Sequence, residues 1–241
     1  MPAAMRTNIG LSRIQNEDSA WYDADKGIFA VADGMGGHLA GEVASAMAIE
    51  AVRKMAEGAG RASFPQLRDA FAAANADILK HAETHAECSG MGTTLSVLWL
   101  SGDRAYLAHT GDSRIYRLRD GNLTQITRDH SLVEELVEAG IITKEEARSH
   151  PRRNIITRAL GTEGDNQPDL ILEDNRPGDC WLLCSDGLSG MVRDEAIAAE
   201  MKKGDPEEAA DSLIRLALAA GGLDNVTLIL CREEAAAWKR G

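Results

Sequence analysis

The feature that most constrains this fold is a short apolar segment that ends in an acid and a group of glycines. Residues 28–37 read Ile-Phe-Ala-Val-Ala-Asp-Gly-Met-Gly-Gly. The five apolar residues predict a buried strand over 28–32, because the run is too short for a helix and turn-forming residues flank it. The glycines let a ligand approach the backbone closely. Asp33 is therefore expected at a rigid strand end beside accessible carbonyl groups, which suits a metal ion.

Two simpler interpretations of this segment were weighed. Asp-Gly is a common hairpin turn, and this explains Asp120-Gly121, which lies between two alternating polar segments. A dinucleotide-binding fingerprint fails, because Leu39 stands where the third glycine belongs and Asp33 would face an anionic pyrophosphate. Recurrence favours a metal site instead. Acids stand at four predicted strand ends, namely Asp33, Asp112, Asp186 and Asp224.

A second pair of acids is expected beside Asp33. Residues 19–22 alternate and contain two aromatic side chains, and the loop 23–27 would lay them antiparallel to 28–32. Glu17 and Asp18 would then lie level with Asp33. Three acids on one edge repel each other unless a divalent cation lies between them, so the pattern favours a metal site over a solvated loop.

The rest of the pattern predicts an α+β fold. Helical periodicity predicts helices over 39–57, from 66 to about 83, and from 205 to 220. Strands are predicted as two hairpins, 95–100 with 104–109 and 113–119 with 122–127, and as two further segments, 180–185 and 226–231. A meander of hairpins indicates an antiparallel sheet, unlike the alternating strands and helices of parallel folds.

The segment 131–160 is expected to be a flap added to one domain that spans residues 1–241. It is charged, its helical pattern is interrupted at Gly140, and it contains the basic pair Arg152-Arg153 in an acidic chain. A chain of 241 residues is long enough for a single buried core. No repeat or interdomain linker divides it. We therefore expect one domain with a small flap subdomain.

Composition limits the classes of partner. The net charge of −12 argues against a nucleic-acid surface, because phosphate backbones are bound by clustered Lys and Arg. No apolar stretch approaches the roughly 18 residues of a membrane span, and the first residues lack an apolar leader. We expect a cytoplasmic monomer without nucleic-acid or membrane partners.

Cysteine usage indicates buried free thiols, because no C-x-x-C pair occurs among the four cysteines Cys88, Cys180, Cys184 and Cys231. His81 and His85, at helical spacing before Cys88, form a weak zinc pattern. Exposed histidines at a helix end are the favoured interpretation.

Six short motifs occur in order along the chain. They are Arg13-Ile-Gln-Asn16-Glu17-Asp18, Val31-Ala-Asp33-Gly34-Met-Gly36-Gly37-His38, Gly92-Thr93-Thr94, Gly111-Asp112-Ser113-Arg114, Ser185-Asp186-Gly187 and Asp224-Asn225-Val226-Thr227. Together they resemble the PPM or type 2C family of metal-dependent serine/threonine protein phosphatases, in its compact bacterial form, over nearly the whole chain. The resemblance implies a four-layer α-β-β-α sandwich, in which two antiparallel sheets are flanked by helix pairs.

The resemblance also implies a metal centre. In the family, an acid matching Asp33 bridges two Mn²⁺ or Mg²⁺ ions, which prefer oxygen ligands of this kind. The other implied ligands are the carbonyl of Gly34 and Glu17 for one ion, and Asp186 and Asp224 for the other, with Asp18 as an outer partner. Asp112 resembles the acid of a third, weaker site, with Asn154 of the flap nearby.

Two further residues take roles by resemblance. Arg13 corresponds to the clamp on the phosphate oxygens, where its forked guanidinium suits two oxygens at once. Many eukaryotic relatives carry a general-acid histidine where this chain has Met35, which cannot donate a proton. His38 is the remaining candidate for that acid, although a local role at the helix start is favoured.

The implied reaction is hydrolysis of phosphoserine and phosphothreonine by a hydroxide that bridges the two ions. The expected partners are phosphoproteins and a bacterial Ser/Thr kinase whose action the enzyme opposes. One alternative is a two-metal phosphodiesterase, against which the acidic charge and the missing basic stripe count. The other is a non-catalytic phosphoprotein-binding module, which is weakened because every matched ligand position is filled.

Overall fold

A computed structural model describes residues 1–36, 40–162, 164 and 166–234. The first half contains β1 (Ala3–Asn8), β2 (Asp18–Asp23), β3 (Ile28–Met35), α1 (Ala40–Glu57), α2 (Phe64–Thr84), a 3₁₀ turn (Ala86–Cys88), β4 (Gly92–Thr93), β5 (Leu95–Ser101), β6 (Arg104–Thr110), β7 (Arg114–Arg119) and β8 (Asn122–Gln125). The second half contains α3 (Leu132–Glu138), α4 (Lys144–Arg148), β9 (Asp169–Asp174), β10 (Cys180–Cys184), α5 (Asp186–Ser189), α6 (Asp194–Met201), α7 (Pro206–Ala219) and β11 (Val226–Arg232).

The strands form two antiparallel sheets. One has the order β1-β11-β10-β7-β8, and the other has the order β2-β3-β5-β6-β9, with β4 paired to β3. The first sheet carries α5, α6 and α7 on its outer face, and the second carries α1 and α2. A third apolar cluster fills the space between the sheets. These layers confirm the predicted α-β-β-α sandwich.

Strand β3 shows why the sequence reads as continuously apolar at this point. Ile28, Ala30 and Ala32 face the helices, whereas Phe29 and Val31 face the opposite sheet. Because successive side chains of a strand point to opposite faces, a strand in the middle of a four-layer fold must be apolar at every position. The strand continues beyond the predicted end, since Gly34 and Met35 pair with β4.

Most of the predicted elements are confirmed, including both hairpins and the antiparallel pairing of β2 with β3. Strands β1 and β9 and helices α5 and α6 were not predicted. All four cysteines are buried free thiols, as expected. His81 and His85 stack at the end of α2, with ring centroids 3.9 Å apart. No helix of the described residues is long and apolar enough to cross a membrane.

The segment predicted as a flap contains α3 and α4, neither of which buries a residue. Its two ends meet where Ser131 and Ile156 form an isolated bridge. The last residue of the segment, expected to end at about 160, contacts the sandwich. Leu160 pairs with Thr93 and packs in the core beneath the helices, so the chain has returned to the sandwich before this point.

Candidate metal centre

The β2–β3 register brings the first acids together, because Asp18 lies directly opposite Asp33. The backbone around Asp33 is held on several sides. Its carbonyl oxygen accepts hydrogen bonds from the Thr94 N–H and the Thr93 hydroxyl, each at 2.9 Å, and its N–H donates to the Thr94 hydroxyl at 2.9 Å. The Gly34 N–H donates to the Glu17 carbonyl at 3.1 Å. The side chain of Asp33 therefore projects from a fully bonded strand end.

The other sheet supplies the remaining acids at the same edge of the sandwich. Asp186 follows β10 and Asp224 precedes β11, and these strands are antiparallel neighbours. Asp112 lies in the connection that passes from β6 in one sheet to β7 in the other. Gly187 is required for this packing, since a Cβ there would lie 1.9 Å from the carbonyl oxygen of Asn225.

Burial, together with repulsion between neighbouring acids, raises the pKa values of several of these carboxyl groups. Burial, followed by the charges of Asp18 and Asp186, raises the pKa of Asp33 well above its usual value. Burial also raises the pKa of Asp186 to about 6 and that of Asp18 to about 7. The pKa of Asp112 is likewise raised well above its usual value, with burial as the largest cause. Because the ionised carboxylates are disfavoured this strongly, a bound cation would stabilise them, and the site is therefore suited to a cation.

The donor atoms fit a hard divalent cation. One oxygen of Asp18 accepts a hydrogen bond from the Ser185 hydroxyl at 2.8 Å, while its other oxygen is buried without a partner among the described residues. Asp112 also has one buried oxygen without such a partner. Carboxylate and carbonyl oxygens are the ligands that Mn²⁺ and Mg²⁺ prefer. Among the described residues, however, no three or more His, Cys, Asp or Glu side chains stand close enough together, as they are placed, to hold a metal ion.

Arg13 lies beside these acids. Its guanidinium donates to Asp224 at 2.8 Å, and about half of its side chain is exposed. The candidate phosphate clamp is thus paired with a candidate metal ligand. The hydrogen bond to Asp224 raises the pKa of the Arg13 guanidinium, and the charges of Glu17 and Asp33 add smaller contributions in the same direction.

Asn225 is a residue that the sequence interpretation did not single out. Its side-chain N–H groups donate to the carbonyl oxygens of Ile9 at 3.0 Å and Gln15 at 2.8 Å, and its side-chain oxygen accepts from the Glu17 N–H at 2.8 Å. One buried amide therefore holds the loop that carries Arg13 against the start of β11. The available signal was its place beside Asp224 in the last motif.

A cleft of about 290 Å³ runs from the acids towards the flap. Its floor includes Asp112 and Asp186, and its flap side includes Lys144, Arg148, Arg153 and Asn154. Asn154 and Asp112 line the same cleft, whereas Arg152 does not line it. A bidentate ion pair joins the flap to the sandwich, because Arg193 donates to Glu145 at 2.7 and 3.1 Å. His38 lies outside the described residues.

Comparison with known proteins agrees with this geometry. A family model described as "Protein phosphatase 2C" matches residues 12–209. The Mycobacterium tuberculosis serine/threonine protein phosphatase PstP is 46% identical over 228 residues, which cover 94% of this chain but only 44% of PstP. A putative protein phosphatase 2C-type of Streptococcus pyogenes is 40% identical, with 97% of this chain and 98% of that protein covered. A crystal structure of the catalytic domain of PstP with two manganese ions matches with a TM-score of 0.88 and 43% identity, covering 95% of this chain and 96% of that one.

Proposed function

The chain belongs to the protein phosphatase 2C family, and from that premise we propose that it is a metal-dependent phosphatase acting on phosphoserine and phosphothreonine in proteins. The observation that carries the proposal is the group of buried acids at one edge of the sandwich, two of which have an oxygen without a partner among the described residues. Family membership narrows the substrate to a phosphoprotein, and the oxygen donors narrow the cofactor to Mn²⁺ or Mg²⁺.

The residues proposed to hold two ions are Asp33, Asp186, Asp224, Glu17 and the carbonyl group of Gly34, with Asp18 behind them. The two manganese ions in the PstP complex support, by analogy, the number and kind of ions that are proposed here. When bound at these residues, two such ions would supply activation of a water molecule for attack on phosphorus and would offset the charge on the phosphoryl oxygens. Asp112 is proposed to hold a third, weaker ion, with Asn154 across the cleft.

Arg13 is proposed to bind the phosphate of the substrate. Its present partner is Asp224, and the exposed half of its side chain leaves the guanidinium accessible. A phosphate dianion offers the forked guanidinium two oxygens, which a single carboxylate oxygen does not match. Asn225 would keep the Arg13 loop in place during this exchange of partners, because its three hydrogen bonds are all to the backbone.

The cellular setting is part of the proposal. We propose that residues 1–241 form one catalytic domain whose flap faces the substrate, that the protein is a cytoplasmic monomer, and that it opposes a Ser/Thr kinase. Four buried free cysteines fit a reducing compartment. His38 remains a candidate acid for the leaving alkoxide.

The decisive experiment compares three substrates at saturating Mn²⁺: a phosphothreonine peptide, a bis-phosphodiester and a small aryl phosphate. We expect rapid, chelator-sensitive release of phosphate from the peptide and the aryl phosphate, and little action on the diester. Faster hydrolysis of the diester would indicate a phosphodiesterase. Peptide binding without turnover in any metal would indicate a binding module.

A further inference from the structure

His130 binds the backbone of Gly111 through two hydrogen bonds at the base of the flap. The backbone N–H of His130 donates to the Gly111 carbonyl at 2.8 Å, and the Gly111 N–H donates to Nδ1 of the His130 ring at 3.0 Å. A backbone N–H can only donate, so Nδ1 must be the unprotonated nitrogen and the ring proton lies on Nε2. The side chain is 5% exposed, which places this pair of bonds inside the protein.

The other side of the His130 ring faces the end of the flap. Nε2 lies 3.1 Å from one carboxylate oxygen of Asp169, to which it donates, and 2.9 Å from Nη1 of Arg158. Arg158 cannot accept a hydrogen bond, and its Nη1 donates to the second Asp169 oxygen at 2.8 Å, so both donors share the same carboxylate. The Thr157 N–H donates to the His130 carbonyl at 2.8 Å. Burial is the largest cause that lowers the pKa of His130, and the nearby Arg158 charge acts in the same direction. The ring therefore stays neutral and keeps its acceptor nitrogen for Gly111.

The backbone of Gly111 lies in a confined space. Its φ is +111°, and a Cβ there would lie 2.5 Å from the side chain of Thr94, so the peptide is confined between Thr94 and His130. The next residue is Asp112, whose carboxylate has a buried oxygen without a partner among the described residues. The direction in which Asp112 projects thus depends on Gly111, whose N–H and C=O both form hydrogen bonds with His130.

We propose that His130 is a positioning residue, which fixes the Gly111 backbone, and through it Asp112, while linking both to the start of β9 through Asp169 and to the end of the flap through Thr157. The ring does not need to touch substrate or metal for this role. Its consequence for turnover rests on the proposed function, whereas its consequence for the Gly111 peptide does not.

Two substitutions separate the two sides of the ring. In His130→Asn the amide oxygen lies near the position of Nδ1 and can still accept from Gly111, whereas in His130→Gln the amide nitrogen lies near Nε2 and can still donate to Asp169. Three properties are to be measured for each: hydrogen exchange of the Gly111 amide by NMR, Mn²⁺ binding by calorimetry, and kcat and KM for a phosphothreonine peptide.

We expect His130→Asn to resemble the wild type in all three measured properties. In His130→Gln, the Gly111 amide should exchange faster, the weakest Mn²⁺ site should lose about ten- to hundredfold in affinity, and kcat should fall with little change in KM. A loss of this size in metal affinity is typical when a residue that orients a metal ligand is removed. The bonds to Asp169 of β9 and to Thr157 of the flap would be retained in this variant, so a purely structural role of these two bonds predicts no such split.

Equal losses in the two variants, or wild-type Gly111 exchange in His130→Gln, would overturn the proposal. If His130→Gln does not fold, His130→Ala takes its place, and His130→Asn must then restore the protection that His130→Ala lacks. If the wild type proves to have no phosphatase activity, the proposed function fails, but exchange at Gly111 and Mn²⁺ binding still decide the role of His130.

Discussion

The metal centre and the flap are built in opposite ways. The centre lies at the ends of strands whose side chains are buried on both faces, and hydrogen bonds hold the backbone of Asp33 from several directions. The flap helices α3 and α4 bury no residue, and an exposed ion pair, Arg193 with Glu145, joins the flap to the sandwich. Segments with few buried contacts open at low free-energy cost. The comparison indicates that fixed geometry serves the chemistry, whereas the flap can adapt to different partners.

The largest effect is expected at the metal centre, the more rigid of the two regions. Asp186→Ala should reduce Mn²⁺-dependent turnover by more than about a hundredfold, the upper end of losses for partners that merely support a ligand. The fold should survive, because the change removes one of several buried, mutually repelling charges. Activity and thermal unfolding are to be measured beside Asp25→Ala, an exposed acid at the opposite end of the β2–β3 hairpin. Wild-type activity in Asp186→Ala would refute the ligand assignment.

The next effect concerns the flap. Arg153→Glu should lower kcat/KM for an acidic phosphopeptide by about fivefold, which corresponds to about 1 kcal/mol for one exposed ionic contact, and should leave aryl phosphate hydrolysis unchanged. Arg152→Glu is the matched control, because Arg152 is the adjacent arginine but does not line the cleft. Equal losses on both substrates, or equal effects of the two substitutions, would contradict a role of the cleft in peptide choice.

A smaller effect on stability distinguishes the centre from the flap without any assay of turnover. The folded-state pKa of Asp18 is raised from 3.8 to about 7, so in metal-free protein the folded state retains a proton that the unfolded state releases. Stability should therefore fall as the pH rises between these values. Asp18→Asn cannot ionise, and its unfolding temperature in chelator should exceed that of the wild type at pH 8 but not at pH 4. A constant difference across this range would count against the raised pKa.

The smallest effect is expected at His38, which comes shortly before α1 in the sequence. His38→Ala should leave kcat for an aryl phosphate unchanged, because a phenolate leaves without a proton, and should lower kcat for phosphothreonine by less than about tenfold. Both rates are to be measured at saturating Mn²⁺. A fall of about a hundredfold or more on phosphothreonine alone would identify His38 as the general acid.

Local periodicity was sufficient for most elements. Helices α1 and α2 and the two hairpins could be predicted because the apolar spacing of a helix and the alternation of a strand are properties of adjacent residues. Strands β1 and β9 were missed, since both lie at sheet edges and carry mixed sequences, AAMRTN and DLILED. Such strands are recognisable mainly by the neighbour with which they pair, β11 and β6 respectively.

The sequence by itself determined which acids stand at strand ends, and the resemblance assigned them to metal ions. Only the tertiary structure decided that acids from two separate sheets meet at one edge, because this depends on how Phe29, Trp181 and Ile229 pack between the sheets. It also decided the roles of Asn225 and His130. Their hydrogen-bond partners lie up to 216 residues away for Asn225 and up to 39 residues away for His130. Hydrogen bonds over such separations follow from the packing of the layers, and no local pattern of residues encodes them.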